Sequence, residues 1–195
     1  LSDQTIRSFI AIELPEEVKS ELHRLQAELT LAQYTFVKCV SPEGIHLTLK
    51  FLGNISAQKV TDITGVMEQA SQGVNPFQLQ LTEVGAFPNM RRPRVLWVGI
   101  KGEVDKLVGW QQRIDNGLVP LGFAKEARPF TPHLTLARLR DNCSPGDRLH
   151  FGEMFARAHV EVNYNFTVTS LNLMKSQLFP AGAVYSRLAE VKLKQ

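Results

Sequence analysis

The tetrapeptide His-Leu-Thr-Leu occurs twice in the chain, at His46-Leu47-Thr48-Leu49 and at His133-Leu134-Thr135-Leu136. In both copies leucines alternate with a histidine and a threonine, the period of two that marks a half-buried strand. Ile45 extends the alternation of the first copy. Each copy is expected to bury its leucines and to present one imidazole and one hydroxyl side by side on the opposite face. A chain that does this twice builds two similar strands, and both polar pairs become useful together only if those strands meet.

The flanks of the copies agree. Ser41-Pro42-Glu43-Gly44 precedes the first and Arg128-Pro129-Phe130-Thr131-Pro132 the second, both turn-forming stretches that place each histidine at the mouth of its strand. Upstream, the strand-like Arg7-Ser8-Phe9-Ile10-Ala11-Ile12 and Val95-Leu96-Trp97-Val98-Gly99-Ile100 each run into a helical pattern. Downstream, Ser56 and Ser144-Pro145 are placed to open helices. The pattern predicts an α+β fold of two β-α-β-α-β halves, approximately 1–90 and 91–195, packed as one bilobal domain around a shared cleft. Local similarity between the halves is otherwise faint.

Periodicity fills in the rest. Val18, Leu22, Leu25 and Leu29 predict a helix over 15–30, Val60, Ile63 and Met67 another over 56–72, and Val104, Leu107, Val108 and Ile114 a third over 103–119. Strands are expected at 6–12, 34–37, 45–52, 77–82, 95–100 and 133–139, with two more around 160–174 and 184–191. A further helix is expected near 150–158, and the loop Phe87–Arg94 is read as the connection between halves.

With 195 residues, 44% hydrophobic and 21% charged, the chain resembles an ordinary globular protein and can bury a substantial core. No apolar run approaches the roughly 18 residues of a membrane span, and no signal-peptide pattern opens the sequence, so an intracellular setting is expected. A net charge of +3 is compatible with nucleic acid without requiring it. Cys39 and Cys143 lack metal-ligand spacing and read as reduced structural thiols.

Two imidazoles across a cleft supply an acid and a base near neutral pH, which suits in-line displacement at phosphorus. Thr48 and Thr135, on the same strand faces, are placed to donate hydroxyl hydrogens to phosphate oxygens, and the sequence near the motifs holds neither an acidic cluster for a metal nor a phosphate-cradling glycine loop. Arg138 and the Arg91, Arg92, Arg94 loop are sources of positive charge. Strict alternation turns Arg138 away with Leu134 and Leu136, so only a bulge or the strand's end brings it into the cleft.

The paired motifs in these flanks, with Leu14-Pro15, Lys50-Phe51-Leu52-Gly53 and Arg94-Val95-Leu96-Trp97-Val98-Gly99, resemble the 2H phosphoesterase superfamily, and more narrowly the RNA 2′,3′-cyclic phosphodiesterases also described as 2′–5′ RNA ligases. The resemblance implies a bilobal fold with antiparallel sheets lining a central cleft. It implies a metal-independent, cofactor-free cytoplasmic enzyme, monomeric, acting on RNA ends or nucleotides that bear a 2′,3′-cyclic phosphate and leaving a 2′-phosphate. By that resemblance His46 is the general acid, His133 the general base, and Thr48, Thr135 and Arg138 bind the phosphate. Phe9 is placed to offer a ring to a base.

Plainer readings apply elsewhere. His23, His150 and His159 read as surface or structural, the Arg91–Arg94 run as a solvated loop, and Trp97 and Trp110 as core. Two other functions use the same residues: a non-catalytic module that clasps RNA ends, and a phosphodiesterase for a small cyclic phosphate or a 2′–5′ oligonucleotide.

Overall fold

Leucines and isoleucines at alternate positions pair the chain into two antiparallel sheets in a computed structural model that describes residues 5–158, 164–180 and 182–194. In chain order the elements are β1 (Thr5–Glu13), α1 (Glu16–Glu28), β2 (Val37–Cys39), β3 (His46–Ser56), α2 (Lys59–Ser71), β4 (Phe77–Phe87), β5 (Val95–Gly102), α3 (Val104–Leu118), β6 (His133–Leu139), α4 (Pro145–Phe155), β7 (Asn165–Val168), β8 (Ser170–Phe179) and β9 (Gly182–Lys192). The first sheet has the order β3-β1-β8-β9 and the second β2-β6-β5-β4-β7.

The two halves trade strands. β1 and β3 pair with each other, as do β5 and β6, but β4 joins the second sheet beside β5 while β8 joins the first beside β1. Each sheet therefore has two paired strands from one half, β1 with β3 or β5 with β6, joined by a strand of the other, β8 or β4. The motif strands β3 and β6 lie in different sheets and approach each other, Cα to Cα within 8 Å.

Helices cover the apolar faces. The stripe Val18, Leu22 and Leu25 fixes the buried side of α1, which reaches β6, while α2 and α3 lie against β3. Ser71 of α2 accepts a hydrogen bond from the buried Trp110 indole of α3 at 3.2 Å. Ser144 caps α4, accepting from the Asp147 N–H at 3.1 Å, as Ser-Pro at a helix start favours. One continuous apolar core runs through both sheets and all four helices, from Ile10 and Leu22 to Leu134 and Phe155.

Some boundaries differ from the sequence reading. Tyr34 and Phe36 lie in a turn rather than a strand, because their rings pack edge-on against Phe151 of α4 at 5.0 and 5.8 Å, and pairing begins only at Val37. Ser56 ends β3 instead of opening α2. Among its described residues the closing stretch holds three strands in place of two, and the predicted start at 160 and His159 lie outside them. His23 and His150 are exposed, and both cysteines are free thiols. Among the described residues no helix is long and apolar enough to cross a membrane.

Candidate active site

Both motif strands carry the same irregularity at the same place. Along β3 the partner of Ala11 is Thr48 and that of Ile10 is Lys50, so Leu49 is an extra residue. Along β6 the partner of Trp97 is Thr135 and that of Leu96 is Ala137, so Leu136 is extra. A bulge of one residue inverts the facing of everything beyond it. Lys50 and Ala137 are consequently buried, while Phe51 and Arg138 are exposed and share the face of the histidine and threonine. Arg138 thus shares the face of His133 and Thr135, and strict alternation fails for it because of Leu136.

Each bulge is held from behind by a buried glutamine of the other half. Gln26 of α1 donates through Nε2 to the carbonyls of Leu136 and Val40, both at 2.8 Å, and the Val40 N–H also donates to Leu136 O at 2.8 Å. Gln111 of α3 donates to the Leu49 carbonyl at 3.4 Å. One turn further along α3, Asp115 binds the Lys50 ammonium at 2.7 Å. Lys50 also donates to the Ala124 carbonyl at 2.6 Å and meets Glu126 at 3.1 Å, while the other Asp115 oxygen accepts the Glu126 N–H. The first motif strand is tied in this way to the segment that leads into the second.

His46 is wedged among aromatic rings. Phe9 stacks on it at 4.4 Å and Tyr185 meets it edge-on at 5.0 Å. Burial pulls its imidazole from 6.5 down to about 4, opposed by a hydrogen bond with the Gly44 backbone. Glu13, opposite His46 across the strand pair, is bound by Arg187 at 2.5 and 2.9 Å. His133 donates through Nδ1 to the Thr131 carbonyl at 2.7 Å, which leaves Nε2 free for chemistry. Burial lowers its pKa, the Thr131 bond opposes this, and the positive charge of Arg138 lowers it further. In each motif the ring is anchored to the backbone two residues earlier.

His46 with Thr48, and His133 with Thr135 and Arg138, therefore each share one face of two strands that approach each other from different sheets. Trp97 is different from its core assignment. It is only partly buried, pairs across from Thr135, and lies 6.2 Å from His133, while Phe87 meets that imidazole edge-on at 4.9 Å. The ring lies across Gly85, where a Cβ would come within 2.0 Å of it. Beside Trp97, β5 has no extra residue, so Trp97 turns away from the buried Leu96 and Val98 by plain alternation. Trp110 is in the core as its periodicity indicates. Tyr185, Phe87 and the two glutamines were not singled out by their sequence, since each acquires meaning only through a distant strand. Among the described residues no group of three or more His, Cys, Asp or Glu side chains could hold a metal.

A family model described as LigT like Phosphoesterase matches the chain twice, over residues 12–97 and 98–185. The chain belongs to that family, a branch of the 2H phosphoesterases. It is 33% identical over 189 residues to an RNA 2′,3′-cyclic phosphodiesterase of Methanothermobacter thermautotrophicus, covering 96% of this chain and 99% of the relative. A relative of the same description from Methanocaldococcus jannaschii is 31% identical, with 95% and 99% covered. Among solved structures, TT0787 of Thermus thermophilus superposes with a TM-score of 0.79 at 28% identity, with 96% and 98% covered. Escherichia coli LigT complexed with 3′-AMP gives 0.72 at 25% identity, with 98% and 100% covered.

Proposed function

We propose that the protein hydrolyses the 2′,3′-cyclic phosphate at an RNA end to a 2′-phosphate, without a metal or cofactor, in one cleft shared by both halves of a single bilobal domain. The observation that carries this reading is the pair of His-x-Thr strands, bulged alike and brought together from two sheets. The names of the near-full-length relatives support the reaction class. Two free thiols fit a cytoplasmic setting, and the protein is read as a monomer.

His133, neutral with Nδ1 engaged, accepts through Nε2 the proton of an attacking water. The new P–O bond forms as the bond from phosphorus to the 3′ oxygen breaks. His46 delivers a proton to that departing oxygen. Thr48, Thr135 and Arg138 bind the non-bridging oxygens and offset the charge that gathers there. Both rings are held below their ordinary pKa in the free protein, and an anionic phosphate between them raises both, which allows one to carry the acid proton. Joining RNA ends through a 2′–5′ bond without ATP is the reverse of the same displacement, with a hydroxyl in place of water.

Turnover of a nucleoside 2′,3′-cyclic phosphate in chelator, with identification of the product, tests this. His46→Ala and His133→Ala are each expected to lower kcat by about 10²–10⁴-fold. Retained turnover in either variant removes the acid–base assignment, and binding without turnover by the unmodified protein, with affinity weakened by either alanine, replaces the enzyme with a clasp for RNA ends.

A further inference from the structure

The second motif strand is held at its bulge by a side chain from the other half of the molecule. On the buried side of α1, Gln26 is 6% exposed. A leucine there would extend the apolar stripe of Leu22 and Leu25, so burial alone does not call for a carboxamide. Its Nε2 donates to two carbonyls, each at 2.8 Å: that of Leu136, the extra residue of β6, and that of Val40. Val40 follows β2 and leads through a turn to Gly44, where the His46 ring is anchored. The Val40 N–H closes the triangle on the Leu136 carbonyl at 2.8 Å.

A bulge disrupts its ladder locally, and here donors from outside β5 hold the carbonyl of the extra residue. What they hold decides the phosphate site. Without the extra Leu136, Arg138 takes the facing of Leu134, and Ala137 takes that of Thr135. Among the described residues Arg138 has no carboxylate partner, so its direction follows the backbone. We infer that Gln26 is a positioning residue for the phosphate site: by fastening the Leu136 carbonyl it preserves the bulge, and so keeps the Arg138 guanidinium on the face of His133 and Thr135. The inference rests on the proposed role of Arg138 and adds to it a side chain that never touches the substrate.

The test measures affinity for inorganic phosphate by calorimetry and titrates the His133 ring by NMR. It uses Gln26→Met, Gln26→Leu, Arg138→Ala and the two double variants. Methionine keeps the length and helix propensity of glutamine without its donors. Arg138 is the charge that acts on the His133 ring, and the neighbouring Phe87 and Trp97 rings carry none. Arg138→Ala therefore weakens phosphate and raises the His133 pKa. Each Gln26 variant is expected to weaken phosphate by about 2- to 100-fold and to raise the same pKa, and to do neither once residue 138 is alanine, as groups that act through one another do. Gln111→Leu, at the other bulge, serves as the control, and its effect multiplies with that of Arg138→Ala. The inference is overturned if either Gln26 variant leaves both readouts as in the parent, or if its effects multiply with those of Arg138→Ala. It is equally overturned if Gln111→Leu shows the same coupling, or if neither Gln26 variant folds, which makes the carboxamide a requirement of the fold. Neither readout needs turnover: an inactive parent that shows the coupling sinks the proposed reaction and keeps the brace, and an active parent without it does the reverse.

Discussion

Strands β3 and β6 are built to one plan up to the bulge and diverge immediately after it. Each opens on a histidine anchored two residues back, follows with a threonine, and inserts an extra leucine whose carbonyl is held by a glutamine. The residue turned into the core is then Lys50 in β3 and Ala137 in β6. The lysine requires a buried carboxylate, so the first wall is fastened to α3 by charge. The alanine requires nothing, and the second wall is fastened by two short hydrogen bonds from Gln26. One backbone device thus serves twice, while the side chains beside it are free to specialise.

The largest effect that separates the walls is expected at Lys50. Asp115 is 12% exposed, so Lys50→Met strands its carboxylate and costs about 3–5 kcal/mol in urea unfolding. Glu126, half exposed, adds little to that figure. Lys50→Met combined with Asp115→Asn restores a large part of the loss. A single variant as stable as the parent would mean that the first wall does not depend on this pair.

Next comes Arg138→Ala. Losing charge-assisted hydrogen bonds of about 1.5–3 kcal/mol weakens inorganic phosphate inhibition by roughly 10- to 100-fold. The substitution also moves a pH profile. Arg138 lowers the His133 pKa, so its removal lets that ring take up a proton at higher pH. The acidic limb of kcat/KM is expected to shift upwards, and an unmoved limb would separate Arg138 from the base.

The smallest contrast is between the glutamines. Gln26→Leu removes two bonds of 2.8 Å and is expected to cost about 1–3 kcal/mol, whereas Gln111→Leu removes one of 3.4 Å and costs less than about 1 kcal/mol. Equal shifts in the urea midpoint would show that bond length does not rank the two braces.

Much of this was legible beforehand for a physical reason. A repeated His-x-Thr in alternating register fixes strand, face and partner chemistry at once, and the helical stripes of α1 and α3 are strongly periodic. Phe51 was not legible, because a bulge has no period and only pairing with β1 reveals it, whereas Trp97 alternates regularly with Leu96 and Val98. Tyr34 was misread because its β-forming side chain serves a ring cluster with Phe151 instead of a ladder. The Gln26 carboxamide meets a carbonyl 110 residues away, a separation that no local pattern encodes.

The exchange of β4 and β8 has a consequence for how such a molecule can originate. A free copy of either half would leave β1 or β5 without the strand, β8 or β4, that now pairs with it from the other half. Two such copies satisfy each other only by passing that strand across, which is the geometry of a swapped twin. Fused into one polypeptide, the twins no longer need to stay identical, and an arginine on one side can face a phenylalanine on the other.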